Sequence, residues 1–276
     1  MSLPKDHLGT YLERIGVAAT PPLTSPFDPG YDAGTLEGHL QQSAHLMASL
    51  KISMSCWMIA NETVSRRKLA AARAHGVKTI AGGGPFEIAV AQGQLPAYLD
   101  LCADVGFARL EGGQGFTSLP LDATEIVKMA QERGLEVQFE LGSKRAGPFT
   151  AAALDSLIRQ GRAWLDAGAV QLVVEARESA HGVGLFDMQQ RFNSEAADRL
   201  AAAFGLDVLV FEAPTKASQF SLLDHFGRAV QLGNVRLEEL LRVEIYRRGL
   251  HADSFDKDKL RPARSTLGER TYVGAT

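Results

Sequence analysis

Short apolar runs alternate along this chain with longer stretches in which apolar residues recur every three to four positions. The runs fall at 50–54, 77–82, 107–112, 136–142, 170–176, 208–213 and 230–235, with a less sharply bounded one within 15–27. Helical periodicity marks 36–50, 64–75, 123–133, 151–167, 194–204 and 218–226. Parallel strands need such crossovers, because each connection must carry the chain back to the other end of the sheet. Eight strands with helices between them predict an α/β fold, a single (β/α)8 TIM barrel with parallel strands over residues 1–276. Pro and Gly gather at 20–34 and beyond 260, and no mid-chain linker calls for a second domain. Residues 251–276, rich in Arg, Lys and Asp, read as a C-terminal tail that wraps the surface or reaches a neighbouring subunit.

Composition narrows the partners. Hydrophobic residues at 45% and charged residues at 22% describe an ordinary globular chain. A net charge of -3 supplies no broad basic field, so neither nucleic acid nor an anionic membrane is expected as a partner. The chain shows no bilayer-spanning run and no signal pattern, which makes the cytoplasm the expected location. Cys56 and Cys102 lack metal-ligand spacing and read as reduced, while the scattered histidines support neither zinc nor a Ser-His-Asp triad.

The chemistry gathers at strand ends. Arg109-Leu-Glu-Gly, Gln138-Phe-Glu-Leu-Gly, Val173-Val-Glu-Ala-Arg and Val210-Phe-Glu-Ala-Pro each close a strand on an acid. In a parallel barrel these ends converge on one mouth, where active sites of this fold lie. Glu111, Glu140, Glu175 and Glu212 therefore face a shared space, and four carboxylates there repel unless a cation or protons offset them. Hard oxygen donors suit Mg²⁺. The other reading pairs each acid with an Arg, a Lys or loop amides.

Lys144, just beyond the fifth strand, is the candidate acid or base beside Glu140, against the alternative of an exposed loop lysine. Lys51, inside the second strand, is expected to point inward and contact an anionic substrate, or else to pair with one of the glutamates. Arg177 offers a planar fork for a carboxylate or phosphate. Gly233 and Asn234 end the eighth strand, a position where barrels often bind phosphate through backbone amides. In Gly82-Gly83-Gly84-Pro85-Phe86-Glu87 the spacing of a nucleotide loop is missing. Gly83 there reads as close backbone approach to a ligand or as a tight turn, with Glu87 in the site or capping a helix.

These motifs together make the chain similar to the phosphosulfolactate synthase family over about residues 20–255. The most specific pieces are Gly82 through Glu87, Glu140-Leu-Gly-Ser-Lys144, Glu175-Ala-Arg177-Glu178-Ser179, Phe211-Glu212-Ala-Pro214 and Leu232-Gly233-Asn234. The resemblance implies a Mg²⁺-dependent, homo-oligomeric barrel lyase that adds sulfite to phosphoenolpyruvate on the route to coenzyme M. It also implies an enolate-like intermediate protonated by Lys144, which matches a family lysine. Departures touch the anion-binding positions: Ala19-Thr20-Pro21-Pro22 replaces a basic segment, Asp28-Pro29-Gly30 lacks a lysine, Gly84 stands for a threonine and Gln114 for an acid. The alternatives they open are a barrel enzyme for another phosphorylated or enolisable acid, and a non-catalytic binding or stress-related barrel.

Overall fold

The computed structural model describes residues 7–117 and 122–261. The strands are β1 (Thr24–Asp28), β2 (Leu50–Ile52), β3 (Thr79–Ala81), β4 (Arg109–Gly113), β5 (Glu136–Leu141), β6 (Gln171–Val174), β7 (Leu209–Glu212) and β8 (Gln231–Arg236). All neighbours pair in parallel and β8 returns to β1, so the sheet closes into the expected eight-stranded barrel. The poorly bounded first run resolves into β1, starting at Thr24.

The helices are α1 (His7–Arg14), α2 (Ala33–Ser43), α3 (Cys56–Ile59), α4 (Glu62–Ala74), α5 (Gly83–Ala91) and α6 (Leu95–Val105), then α7 (Ala123–Gln131), α8 (Ala151–Asp166), α9 (Ser194–Phe204), α10 (Lys216–Phe226) and α11 (Leu240–Arg247). Side chains that accept an amide hydrogen start most of the crossovers: Asp32 for α2, Asn61 for α4, Asp122 for α7, Thr150 for α8, Asn193 for α9 and Thr215 for α10. The helix expected to reach residue 50 stops at Ser43 and passes through a 3-10 turn, Ala44–Leu46, before β2. Helices α5 and α6 fill the third crossover. The sequence GGPFEIAVA of α5 is apolar around nearly its whole circumference, so it carries no helical stripe.

Alternation along the strands sorts the core. Leu110, Val137, Phe139, Leu141, Leu172, Val174, Phe211 and Leu232 belong to the apolar layer beneath the helices. Residues offset from them by one, including Lys51, Glu111, Gln138, Gln171 and Gly233, line a small cavity inside the barrel. This barrel therefore has a largely polar interior and draws its hydrophobic stability from the outer layer.

Of the expected tail, residues 251–261 lie along the outside, with Leu260 fully buried and the Arg261 guanidinium donating to the Ile15 carbonyl at 3.2 Å. Residues 262–276 are outside the described residues. No described helix is long and apolar enough to cross a membrane. Both cysteines are free thiols.

Candidate active site

Strand register decides which acids meet. Gly113 of β4 stands level with Glu140 of β5, and Glu111 stands one pleat deeper, level with Gln138. Glu140 in turn stands level with Val173, and Glu175 follows directly after β6. Glu212 ends β7 opposite Gly233. As a result Glu140, Glu175 and Glu212 bring carboxylate oxygens within 4.8 Å of one another, all three buried.

Glu111, expected among the metal ligands, lies outside that group. Its Oε1 is 2.6 Å from the Lys51 ammonium and accepts from the Gly83 amide at 3.2 Å, while its Oε2 accepts from Gln138 at 2.9 Å. Lys51 points inward as expected, and its charge is spent on Glu111 and, at 3.5 Å, on Glu212. Burial disfavours the Lys51 charge, but Glu111, Glu212 and Glu140 outweigh it and hold its pKa above the ordinary value. Glu111 is buried as well, yet Lys51 pulls its pKa below the usual range.

The other three acids have a different balance. Burial pushes Glu140 up to about 8, with Glu175 repelling it and Lys144 partly offsetting that. Burial also raises Glu212 to about 7 despite Lys51, and it raises Glu175, with Glu212 adding to the effect. Lys144 reaches in from the loop after β5, its Nζ 3.1 Å from Glu140 and 3.3 Å from Glu175. Burial works against its charge, and the surrounding glutamates reverse that and raise its pKa.

Residues 20–253 match the family model of (2R)-phospho-3-sulfolactate synthase (ComA). The chain belongs to the phosphosulfolactate synthase family. Phosphosulfolactate synthase of Methanocaldococcus jannaschii is 30% identical over 236 residues, covering 85% of this chain and 94% of that protein. The Methanothermobacter thermautotrophicus enzyme is 27% identical, covering 86% and 93%, and that of Bacillus subtilis 26% identical, covering 68% and 75%. Among solved structures, 3-dehydroquinate dehydratase from Geobacillus kaustophilus superposes with a TM-score of 0.53 at 12% identity, covering 82% of this chain and 91% of that one, a likeness of fold alone. Membership makes the chain an enzyme of a carbon–sulfur bond-forming lyase family.

Within this synthase-family barrel the residues fit a hard divalent cation. Oε2 of Glu175 is buried and accepts no hydrogen bond, although the Lys144 ammonium is near, and three converging carboxylates are the oxygen donor set such an ion takes. The remaining expected residues are partly engaged. The Asn234 side chain donates to Glu212, and the Ala176 amide reaches the same carboxylate at 2.9 Å. Gly83 spends its amide on Glu111 and opens α5, so the glycine run is a turn in which Gly82 packs against the β2 backbone. Gly233 lines the interior cavity. Arg177 is exposed, its backbone in the left-handed region, its amide on Glu175 at 2.6 Å and its guanidinium 3.4 Å from the Lys144 carbonyl.

Sequence reasoning missed Gln138 and left the role of Glu87 open. Gln138 precedes Glu140 by two residues, so strand alternation alone puts it on the inner face. Glu87, left between the site and a helix cap, caps no helix: it sits inside α5 at the edge of the site and accepts the amides of Gly115, Phe116 and Thr117.

Proposed function

We propose that the protein adds sulfite to phosphoenolpyruvate, with Mg²⁺ held by Glu140, Glu175 and Glu212 and with Lys144 as the proton donor. The observation that carries this reading is the Lys144 ammonium held against Glu140 and Glu175 in a buried group of three carboxylates at the barrel mouth, in a chain of this family. Sulfite sulfur bonds to the methylene carbon, and the π electrons shift toward the neighbouring carbon and its carboxylate. A proton from Lys144 then closes that carbon, so one C–S bond forms from the sulfur lone pair and one C–H bond forms as the π bond and a Lys144 N–H bond break, and the amine regains its proton from solvent. A bound Mg²⁺ supplies positive charge beside the oxygens on which negative charge builds.

The chain's own groups do the rest. Glu140 keeps the Lys144 ammonium in place, and the neighbouring glutamates raise its pKa, so it stays protonated at neutral pH and gives up its proton only to a strongly basic centre such as the enolate carbon. Lys51 holds Glu111 and offsets charge below the carboxylates. Arg177 at the rim, just after β6, offers two parallel N–H donors to a carboxylate or phosphate, with the backbone near Gly233 and Asn234, two strands further round the barrel, as its complement. Homo-oligomeric assembly in the cytoplasm completes the proposal, and light scattering and cell fractionation test it.

Incubating purified protein with phosphoenolpyruvate, sulfite and Mg²⁺ and following products by mass spectrometry tests the reaction. A sulfonated phospho-acid that disappears on chelation supports it; unchanged phosphoenolpyruvate sinks it. One observation favours a second reading. Lys51 is committed to Glu111 and Glu212, which leaves the mouth with few free cations for a phosphate and suits another enolisable carboxylic acid. Mg²⁺ binding without a sulfonated product, together with proton exchange into such an acid, would favour that alternative.

A further inference from the structure

The geometry points to Glu87 as a positioning residue that sets where Lys144 sits by fixing the segment after β4 against the ammonium. Glu87 lies at the start of the second turn of α5 and is 2% exposed. Four donors converge on its carboxylate. Oε1 accepts from the Gly115 amide at 2.9 Å, and Oε2 accepts from the Phe116 amide at 3.0 Å, the Thr117 amide at 2.8 Å and the Thr117 hydroxyl at 2.9 Å. So many hydrogen bonds to one buried carboxylate fix the course of the backbone over residues 115–117.

The fixed segment presses on Lys144 from two directions. The Gly115 carbonyl accepts from the Lys144 amide at 2.9 Å and from the Ser143 hydroxyl at 3.2 Å, which ties the Lys144 backbone to the segment. At the same time a Cβ on Gly115 would lie 3.3 Å from Lys144 Nζ, 3.4 Å from Glu140 Oε2 and 3.1 Å from Glu87 Oε1. The glycine, with no side chain of its own, therefore leaves the room that the Lys144 ammonium and the Glu140 carboxylate occupy. Helix α5 is anchored independently at its first residue, through the Gly83 amide on Glu111. Glu87 thus links two parts of the site, while its own side-chain hydrogen bonds all go to residues 115–117.

The inference rests on Lys144 being the proton donor, and two variants displace that ammonium from opposite sides. Glu87→Gln keeps the volume but turns an N–H toward backbone donors, so one of them loses its acceptor. Gly115→Ala inserts a methyl group beside Nζ. Both variants are expected to lower kcat roughly 10- to 100-fold, since small misplacements of a reacting group carry costs of that size. KM for phosphoenolpyruvate and the Mg²⁺ Kd from calorimetry should stay within about twofold, because uniform binding is untouched.

A second readout needs no turnover: the acylation rate of Lys144 by an amine-reactive probe, measured by peptide mass spectrometry against exposed Lys128, should rise severalfold in Glu87→Gln. Wild-type kcat and a wild-type acylation rate in that variant would overturn the inference. If the wild-type protein makes no sulfonated product, the proposed reaction falls, and the acylation rate alone then decides whether Glu87 positions Lys144.

Discussion

Oε1 of Glu111 sits 2.6 Å from the ammonium of Lys51, joining β4 to β2 inside the barrel, with the two side chains 2% and 11% exposed. Water cannot take over from either partner at such a depth. Lys51→Met is therefore expected to strand a buried carboxylate and cost roughly 3–5 kcal/mol, read as a fall in the urea midpoint at constant m value. Adding Glu111→Gln to that variant removes the stranded charge and should recover much of the loss. A double variant no more stable than the single one would show that charge pairing is not what the site needs.

The same pair marks the boundary of what the sequence makes legible. Acids at four strand ends, the strand count and the inward direction of Lys51 all follow from period-two alternation and the convergence of parallel strands. The depth of each acid does not follow, because it depends on stagger between neighbouring strands. Glu111 and Glu140 look equivalent in their motifs, yet Glu111 stands level with Gln138 and Glu140 stands level with Gly113, one pleat higher. That offset hands Glu111 to Lys51 and leaves Glu140 with Glu175 and Glu212. Glu87 was obscure for another reason: its partners are amides 28 to 30 residues away, and backbone donors leave no trace in residue types.

The offset separates the acids in a metal-binding experiment. Glu140→Gln and Glu175→Gln are each expected to weaken Mg²⁺ binding at least tenfold, about 1.4 kcal/mol, in calorimetric titration. Glu111→Gln should leave the Mg²⁺ affinity within about twofold, since its oxygens serve Lys51, Gln138 and Gly83. Equal losses in all three variants would return Glu111 to the ligand set.

Carboxylates pushed upward also make stability depend on pH in a defined direction. Glu140 and Glu212, held near about 8 and about 7, keep protons in the folded metal-free protein that the unfolded chain releases at ordinary carboxylate values. Between those limits the folded state binds more protons than the unfolded one, so stability of the metal-free protein falls as pH rises from about 5 to about 8. Mg²⁺ competes with those protons, and its stabilising shift in Tm should therefore be larger at pH 8 than at pH 5.5. Scanning calorimetry with chelator and with Mg²⁺ checks both slopes. A Mg²⁺ shift that shrinks toward pH 8 would contradict the carboxylate site.

Glu244 behaves in the opposite sense, at the seam where the barrel closes. Its Oε1 accepts from the Thr24 hydroxyl of β1 at 2.6 Å and from Arg247 Nε at 3.0 Å. Arg247, with no exposed surface, also donates to the Thr24 hydroxyl at 3.0 Å and to the carbonyls of Arg228 and Val230 at 2.7 Å. Thus α11 bolts β1 to the start of β8. Burial alone would raise the Glu244 pKa, but Arg247 and Arg248 outweigh it and hold the value below normal. A lowered carboxylate contributes stability that is present above its unfolded pKa and is lost as pH falls through the folded one. Glu244→Gln should accordingly cost roughly 3–5 kcal/mol at pH 7, because it leaves the Arg247 charge buried without its partner. As pH falls through its lowered folded value, wild-type Glu244 itself takes up a proton, so the gap between variant and wild type in urea denaturation should narrow in acid. A gap that is independent of pH would mean that packing at the seam, and not the Glu244 charge, keeps β1 and β8 together.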